Sequence, residues 1–101
     1  MVKLTIFYGH PTNPDDFEQY YESTHLPLAG KMPGISRVEF TRFVAGPNHT
    51  KPVFYRMTEL YFPSEGQMRT TLGSAEGKAT VADHKNFATG GASFAIGTSE
   101  G

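Results

Sequence analysis

The chain has 101 residues, so we expect residues 1–101 to form a single domain with one modest two-layer core. Nine Lys and Arg residues nearly balance ten Asp and Glu residues, so no excess charge favours nucleic acid or a membrane surface as a partner. There is no Cys, which excludes disulfides, thiolate metal sites and a Cys nucleophile. Because no stretch has the length of a membrane span and no secretory pattern begins the chain, we expect a cytoplasmic protein.

The first predicted element is a strand at residues 2–9, in which side chains alternate and Tyr8 lies on the more apolar side. A turn rich in Gly and Pro follows. Asn13 directly before Pro14 predicts the start of a helix, because Asn is a good N-cap and Pro is tolerated at the first helical position. This helix is expected to run from Pro14 to about His25.

One face of this helix is rich in aromatic residues. Helical spacing places on that face Phe17, Tyr20, Tyr21, Thr24, His25 and Leu28. Pro27 has no N–H for the carbonyl of Ser23, so we expect the helix to kink or end near His25. A phenol and an imidazole one turn apart, Tyr21 and His25, can form an acid–base site, although a hydrogen-bonded core His is the alternative interpretation.

Three further strands and a second helical segment are predicted. Strand patterns occupy residues 35–45, 53–62 and 92–98, and Ser64 and Ser74 each indicate a helix start. The side chains expected to point inward from the second of these helices are Ala75, Ala79, Ala82 and either Asn86 or Phe87. The order β-α-β-β-α-β predicts an α+β, ferredoxin-like fold, with an antiparallel four-stranded sheet and both helices on one face.

Large apolar side chains occur on both sides of the predicted strands. Those expected to face away from the helices are Phe7, Phe43, Phe54 and Leu60. A sheet face in contact with water would be mostly polar, so burial against a second copy of the chain is the simplest explanation. We therefore expect a homodimer.

Two stretches resemble a known protein family. The string Tyr20-Tyr21-Glu-Ser-Thr-His25-Leu-Pro27-Leu28, followed by Met32-Pro33-Gly34, closely resembles the EthD family, which belongs to the ferredoxin-like dimeric α+β barrel superfamily. Residues 82–87, Ala-Asp-His-Lys-Asn-Phe, look like a second family stretch. The resemblance implies a dimer whose sheets close into a barrel, with a pocket between sheet and helices in each subunit.

The resemblance implies several functions. The family takes its name from a cluster for ethyl tert-butyl ether degradation, and superfamily relatives include cofactor-independent quinone-forming monooxygenases, polyketide cyclases, a lactone isomerase and haem-degrading enzymes. We expect a cofactor-free enzyme acting on a small oxygenated compound (aromatic, polyketide-like or from ether degradation), with His25 as acid, base or ligand contact. The alternatives are a non-catalytic dimer that binds a small ligand or assists an oxygenase, and a haem binder.

The candidate catalytic residues are His25 and Tyr21. The candidate ligand-binding residues are Tyr8, Phe17, Leu28, Tyr55 and Glu59. If Glu59 is buried it needs a cationic partner or its pKa would rise, and both a structural ion pair and a pocket carboxylate remain open.

The other histidines are weaker candidates. His10 and His49 lie in predicted loops and His84 is expected at the surface. No spacing typical of metal ligands occurs, so we expect no metal and no cofactor. Gly90 and Gly91 are expected to end the second helix.

Overall fold

The computed structural model describes residues 1–100 and confirms the ferredoxin-like α+β fold. The strands are β1 Val2–Tyr8, β2 Arg37–Arg42, β3 Arg56–Phe62 and β4 Ala92–Thr98. They form one antiparallel sheet in the order β2-β3-β1-β4, and the helices pack on one of its faces. The helices are α1 Pro14–Tyr20, α2 Leu26–Ala29, α3 Glu65–Gly73 and α4 Ala75–Asp83, with 3₁₀ turns at Pro47–His49 and His84–Asn86.

The three predicted helix starts are confirmed by side-chain caps. Asn13 Oδ1 accepts a hydrogen bond from the backbone N–H of Asp16 at 3.2 Å. Ser64 Oγ and Ser74 Oγ each accept one from an N–H three residues later, both at 3.1 Å. Each cap satisfies an N–H that has no partner inside its own helix.

The first helix passes through Pro27 and does not end there. A π-helical turn, Tyr21–His25, joins α1 to α2, and the N–H of Leu26 donates to the carbonyl of Tyr21 five residues earlier. Pro27 is tolerated because it lies in the first turn of α2. The wider turn also changes which side chains face inward: Tyr21 and His25 are buried, whereas Thr24, expected on the same face, is exposed.

The sheet faces are reversed along β3 relative to the sequence prediction. The register pairs Leu4 with Leu60 and Ile6 with Thr58, so these residues share the face that packs on the helices. Leu60 was expected on the other face. Both sides of β3 carry a mixture of apolar and polar residues, so the sequence pattern alone could not tell which side faces the helices.

The face that points away from the helices holds a network of charged and aromatic groups. Lys3 Nζ donates to Glu59 Oε2 at 2.6 Å, and the hydroxyl of Tyr61 donates to Glu39 Oε2 at 3.1 Å. The guanidinium of Arg37 lies 4.1 Å from the centre of the Tyr61 ring. This face is therefore more polar than predicted, although Phe7 and Phe54 pack together on it with their ring centres 4.8 Å apart.

The inward face of α4 also differs from the prediction. Ala75, Ala79 and Ala82 are exposed, and the buried positions are Gly77, Thr80 and Asp83, followed by His84 and Phe87. A Cβ atom on Gly77 would lie 2.1 Å from the carbonyl oxygen of Thr71. The close approach of α4 to the end of α3 thus requires Gly on the inner face, where the hydrophobic pattern favoured Ala.

Gly90 and Gly91 form a turn before β4 and do not end a helix, because the preceding 3₁₀ turn already ends at Asn86. The N–H of Gly9 donates to the carbonyl of Gly91 at 3.0 Å. A Cβ atom on Gly90 would lie 2.3 Å from the carbonyl oxygen of His10. Glycine therefore allows the end of β1 and the start of β4 to meet.

Candidate active site

A cavity of about 440 Å³ lies between the helix-facing side of the sheet and the segment formed by the π turn and α2. Its wall is mostly apolar. The lining residues are Ile6, Tyr8, Tyr21, His25, Leu26, Ala29, Gly30, Met32, Ile35, Ser36, Arg37, Val38, Phe40, Thr58, Leu60 and Thr80. A mostly apolar cavity with a few polar groups is typical of a small-molecule site.

His25 is the polar residue of this wall that is best placed for proton transfer. Its side chain is buried, with 3 % of the residue exposed, and its Nδ1–H donates to Asp83 Oδ2 at 2.9 Å. Among residues 1–100, the other ring nitrogen, Nε2, has no hydrogen-bond partner. Every fully buried side-chain nitrogen or oxygen in that part of the chain does have one, so Nε2 is not fully buried and is accessible from the cavity. The ring stacks on Tyr21, with ring centres 5.7 Å apart.

Asp83 is held in place by two donors besides His25. Its Oδ1 accepts from the hydroxyl of Tyr20 at 2.6 Å and from Asn86 Nδ2 at 3.0 Å. Burial favours the neutral acid, but the hydrogen bonds from Tyr20, Asn86 and His25 outweigh it and lower the pKa of Asp83. The carboxylate is therefore ionised at neutral pH and fixes the tautomer of His25.

Burial lowers the pKa of His25 below its ordinary value, because the charged imidazolium is poorly solvated in this wall. The hydrogen bond and the negative charge of Asp83 oppose this effect without cancelling it. At neutral pH, His25 is thus a neutral imidazole whose Nε2 carries a lone pair. A base of this kind can accept a proton from a bound ligand.

His84 is buried, with 7 % exposed, so the prediction of a surface residue was wrong. Its Nδ1–H donates to the carbonyl of Val81 at 3.0 Å, and its Nε2 lies 3.0 Å from the hydroxyl of Tyr8. The rings of His84 and His25 are 4.8 Å apart. Burial lowers the pKa of His84, and a proton on the neighbouring His25 would lower it further, so His84 is neutral as well at neutral pH.

Three further hydroxyl groups of the wall belong to Tyr8, Tyr21 and Thr58. The hydroxyls of Tyr21 and Thr58 share a hydrogen bond of 2.5 Å. The Tyr8 hydroxyl is near enough to both that each affects its pKa. Burial raises the pKa of Tyr8 and that of Tyr21, so both phenols keep their protons at neutral pH.

The structure brings together three of the seven residues predicted for the site. Tyr8, Tyr21 and His25 line the cavity. Phe17 lies behind them in the core, 5.4 Å from the Tyr21 ring, and Leu28 is half-buried on α2 outside the lining because the π turn rotates it away.

Tyr55 and Glu59 do not line the cavity. The Tyr55 ring packs 5.2 Å from Phe17, and its hydroxyl donates to Glu18 Oε2 at 2.9 Å. Glu59 lies on the opposite face of the sheet, where Lys3 is its partner. Of the two interpretations of Glu59, the structure supports the ion pair.

Sequence reasoning missed Asp83, His84 and Thr58 as parts of the site. Asp83 appeared only in the second family stretch, and the Ala-rich face predicted for α4 turned both Asp83 and His84 outward. The available signal was the pair of proton-handling residues that ends this helix just before buried Phe87.

The remaining polar candidates lie away from the cavity. His10 Nε2–H donates to the carbonyl of Pro52 at 2.7 Å, and His49 is exposed. Within residues 1–100, no three His, Asp or Glu side chains converge as they would around a metal ion. In that same part of the chain, no helix combines the length and apolar character needed to cross a membrane.

Comparison with known proteins decides the family. The model of the EthD domain matches residues 9–91. The chain belongs to the EthD family. A relative in Rhodococcus erythropolis, an uncharacterized 11.0 kDa protein of the thcB–thcC intergenic region, is 36 % identical over 95 residues, which cover 90 % of this chain and 87 % of the relative.

Solved structures agree with the EthD assignment. An ethyl tert-butyl ether degradation (EthD) family protein from Bacillus halodurans superposes with a TM-score of 0.92 at 33 % identity, covering 99 % of each chain. SnoaB, a cofactor-independent oxygenase from Streptomyces nogalater, superposes with a TM-score of 0.65 at 12 % identity, covering 99 % of this chain and 92 % of its own. The second likeness shows the fold alone.

Proposed function

We propose that this EthD-family protein is a cofactor-independent enzyme that uses His25 as a general base on a small, largely apolar, oxygenated compound. Aromatic, polyketide-like and ether-degradation compounds all fit this description. The observation that carries the proposal is the hydrogen bond from His25 Nδ1–H to Asp83 in the wall of an apolar cavity, which leaves Nε2 available. That SnoaB works without a cofactor on the same fold supports the proposal by analogy.

The proton transfer follows from the hydrogen bonds. Nε2 of neutral His25 takes a proton from the ligand, and the resulting imidazolium is stabilised by the carboxylate of Asp83 at Nδ1. Tyr20 and Asn86 hold that carboxylate, so the ring keeps its orientation when it becomes charged. The hydroxyl pair of Tyr21 and Thr58 can hydrogen-bond an oxygen atom of the ligand.

The proposal can be tested with a neutral aromatic probe that reports a base in an apolar cavity. A base removes the ring C–H proton of nitrobenzisoxazole, the N–O bond breaks with its electron pair on oxygen, and a coloured cyanonitrophenolate forms. We expect the wild-type protein to catalyse this elimination and His25→Gln to lower the rate about a hundredfold, because Gln keeps the polarity but cannot take the proton. Absorbance of the product gives the rate.

Two further variants separate chemistry from folding. Asp83→Asn should lower the rate at least about tenfold, because Asn does not stabilise the imidazolium. His49→Gln, in an exposed loop, should leave it unchanged. Equal rates for the wild-type protein and His25→Gln would rule out His25 as the base.

Two alternatives use the same cavity. A non-catalytic ligand-binding or oxygenase-assisting module would bind aromatic probes without accelerating the elimination. A haem binder would use the free Nε2 of His25 as an axial ligand. Titration with hemin would then give a stoichiometric, sub-micromolar complex whose Soret band is lost in His25→Gln, and we expect no such complex.

We also propose a homodimer in which the helix-free faces of two sheets meet and form the barrel. Several apolar side chains remain exposed on the two edge strands of a single copy, among them Phe40 on β2 and Phe94 and Ile96 on β4, with exposed fractions of 47–61 % for these three residues. The register places them on the helix-packed side of the sheet, so they favour contact along the sheet edges, where two copies would close the barrel. Apolar exposure of this extent in a small domain supports burial against a partner.

A further inference from the structure

The hydrogen bonds around His84 have only one possible direction. Nδ1 of His84 faces the carbonyl of Val81, which can only accept, so Nδ1 carries the hydrogen. The Nε2 of a neutral imidazole then has only a lone pair, and the hydroxyl of Tyr8 must donate to it. The phenolic hydrogen of Tyr8 is therefore committed to His84, while the oxygen keeps lone pairs that can accept.

The same reasoning applies to His25. Its Nδ1 faces the carboxylate of Asp83, so Nδ1 carries the hydrogen and the accessible Nε2 presents a lone pair. The two imidazoles thus have the same effect on the cavity wall. His84 takes up the hydroxyl hydrogen of Tyr8 and leaves its oxygen as an acceptor, and His25 directs its own N–H to Asp83 and leaves Nε2 as an acceptor.

The remaining polar groups do not reverse this balance. Ser36 is exposed, so its hydroxyl can bond to water. Tyr21 and Thr58 share one hydrogen bond, which leaves one of their two hydroxyl hydrogens uncommitted. Arg37, the cationic residue of the lining, places its guanidinium over the Tyr61 ring and 3.6 Å from Glu39, on the other side of the sheet. Thr80 donates to the carbonyl of Glu76.

We propose that the ligand of this cavity is anchored by a hydroxyl hydrogen, so the substrate is a phenol or an enol and not an ether or a simple ketone. A buried acceptor left without a donor costs free energy, so a ligand with an O–H satisfies the wall and its O-alkylated analogue does not. This inference rests on the proposed function, because the His25 Nε2 that anchors the hydroxyl is also the base that removes its proton.

A matched pair of probes tests the anchor. Naphthol and its methyl ether share the aromatic ring and differ in the single O–H that the proposal requires. We expect naphthol to bind the wild-type protein about tenfold more tightly than the ether, as measured by isothermal titration calorimetry or naphthalene fluorescence at neutral pH.

Variants at His84 test the direction of the Tyr8 hydrogen bond. His84→Leu removes the acceptor, which frees the Tyr8 hydrogen to turn toward the cavity and to bind the ether oxygen, so the preference for naphthol should fall severalfold. His84→Gln keeps a carbonyl that can accept from Tyr8, so it should retain the preference. Tyr8→Phe removes the oxygen and should also weaken the preference, while thermal unfolding checks that each variant is folded.

The outcomes divide clearly. If naphthol binds no better than its ether, whether both bind or neither does, the hydroxyl anchor is wrong. If His84→Leu keeps the full preference, the assigned direction of the Tyr8 hydrogen bond is wrong. Either result leaves the elimination of nitrobenzisoxazole by His25 as a separate measurement, because that probe has no O–H, and only its failure counts against the proposed function.

Discussion

Two imidazoles lie side by side, with His25 in the cavity wall and His84 next to it outside the lining, and their hydrogen bonds give them different roles. His25 has one ring nitrogen free, whereas both nitrogens of His84 are engaged, one with Val81 and one with Tyr8. When His25 takes up a proton, the carboxylate of Asp83 stabilises the positive charge, whereas a proton on Nε2 of His84 would break the hydrogen bond that Tyr8 donates to it. The hydrogen bonds thus support the proposal that His25 is the base and His84 an orienting group.

Both histidines link the stability of the protein to pH. Their folded-state pKa values are lowered by burial, so as the pH falls the unfolded chain takes up protons first. Their contribution is complete above the ordinary His pKa of about 6.5 and declines as the pH falls below it. Asp83, whose pKa is also lowered, adds a loss at still lower pH.

We therefore expect urea unfolding to show a lower free energy of unfolding at about pH 5 than at about pH 8. His84→Gln should flatten this dependence because Gln does not titrate, whereas His49→Gln should keep it because His49 is exposed. A wild-type protein whose stability is constant over that range would contradict the assignment of neutral, buried imidazoles.

At the scale of the elements, the site depends on two departures from regular packing. The π turn Tyr21–His25, which precedes Pro27, places both named residues inward, and π turns occur often at functional sites. The close approach of α4 to the end of α3 at Gly77 places Asp83 beside that turn. A regular helix and a looser contact would separate the two halves of the acid–base pair.

Two glycine substitutions test the second departure. Gly77→Ala should destabilise the protein by about 1–3 kcal/mol, because the new Cβ meets backbone, although Ala is the better helix former. Gly66→Ala, in α3 with no contact shorter than 3.8 Å, should instead stabilise it by about 0.5–1 kcal/mol. Urea unfolding measures both changes, and a stabilising effect of Gly77→Ala would show that α4 is not held so closely.

At the scale of the whole molecule, the helix-free face of the sheet is the surface with which the proposed dimer would form. Its centre is already well covered within one copy: Thr5 and Glu59 are at most 9 % exposed because long neighbouring side chains cover them. Ala95 lies opposite Thr5 in the register and is exposed, so it marks a part of this face where a partner would pack.

We expect size-exclusion chromatography with light scattering at micromolar concentration to give twice the chain mass of 11.1 kDa. Ala95→Arg should shift the protein toward the monomer, because it adds an unpaired charge to the proposed interface. Lys78→Glu, which changes a charge on the exposed side of α4, is the matched control and should leave the mass unchanged. A wild-type monomer would exclude the barrel.

The fold and half of the acid–base pair could be predicted from the sequence because they rest on local signals. Strand alternation, the caps Asn13, Ser64 and Ser74 and the aromatic stripe that includes Tyr21 and His25 act within a few residues along the chain. Such short-range patterns carry the α+β order and the inward direction of His25.

The partners of His25 were decided only by the tertiary structure. Asp83 lies 58 residues further along the chain than His25. Whether it faces inward depends on the contact of α4 with α3 at Gly77, and the hydrophobic pattern of the sequence gives no indication that a glycine is buried there. The side of the sheet on which Glu59 lies depends on strand register, because a shift of one residue moves a side chain from the cavity side to the opposite face. Close packing and register are relations between distant segments, so the tautomers they impose, and with them the chemistry of the cavity, follow from the folded structure.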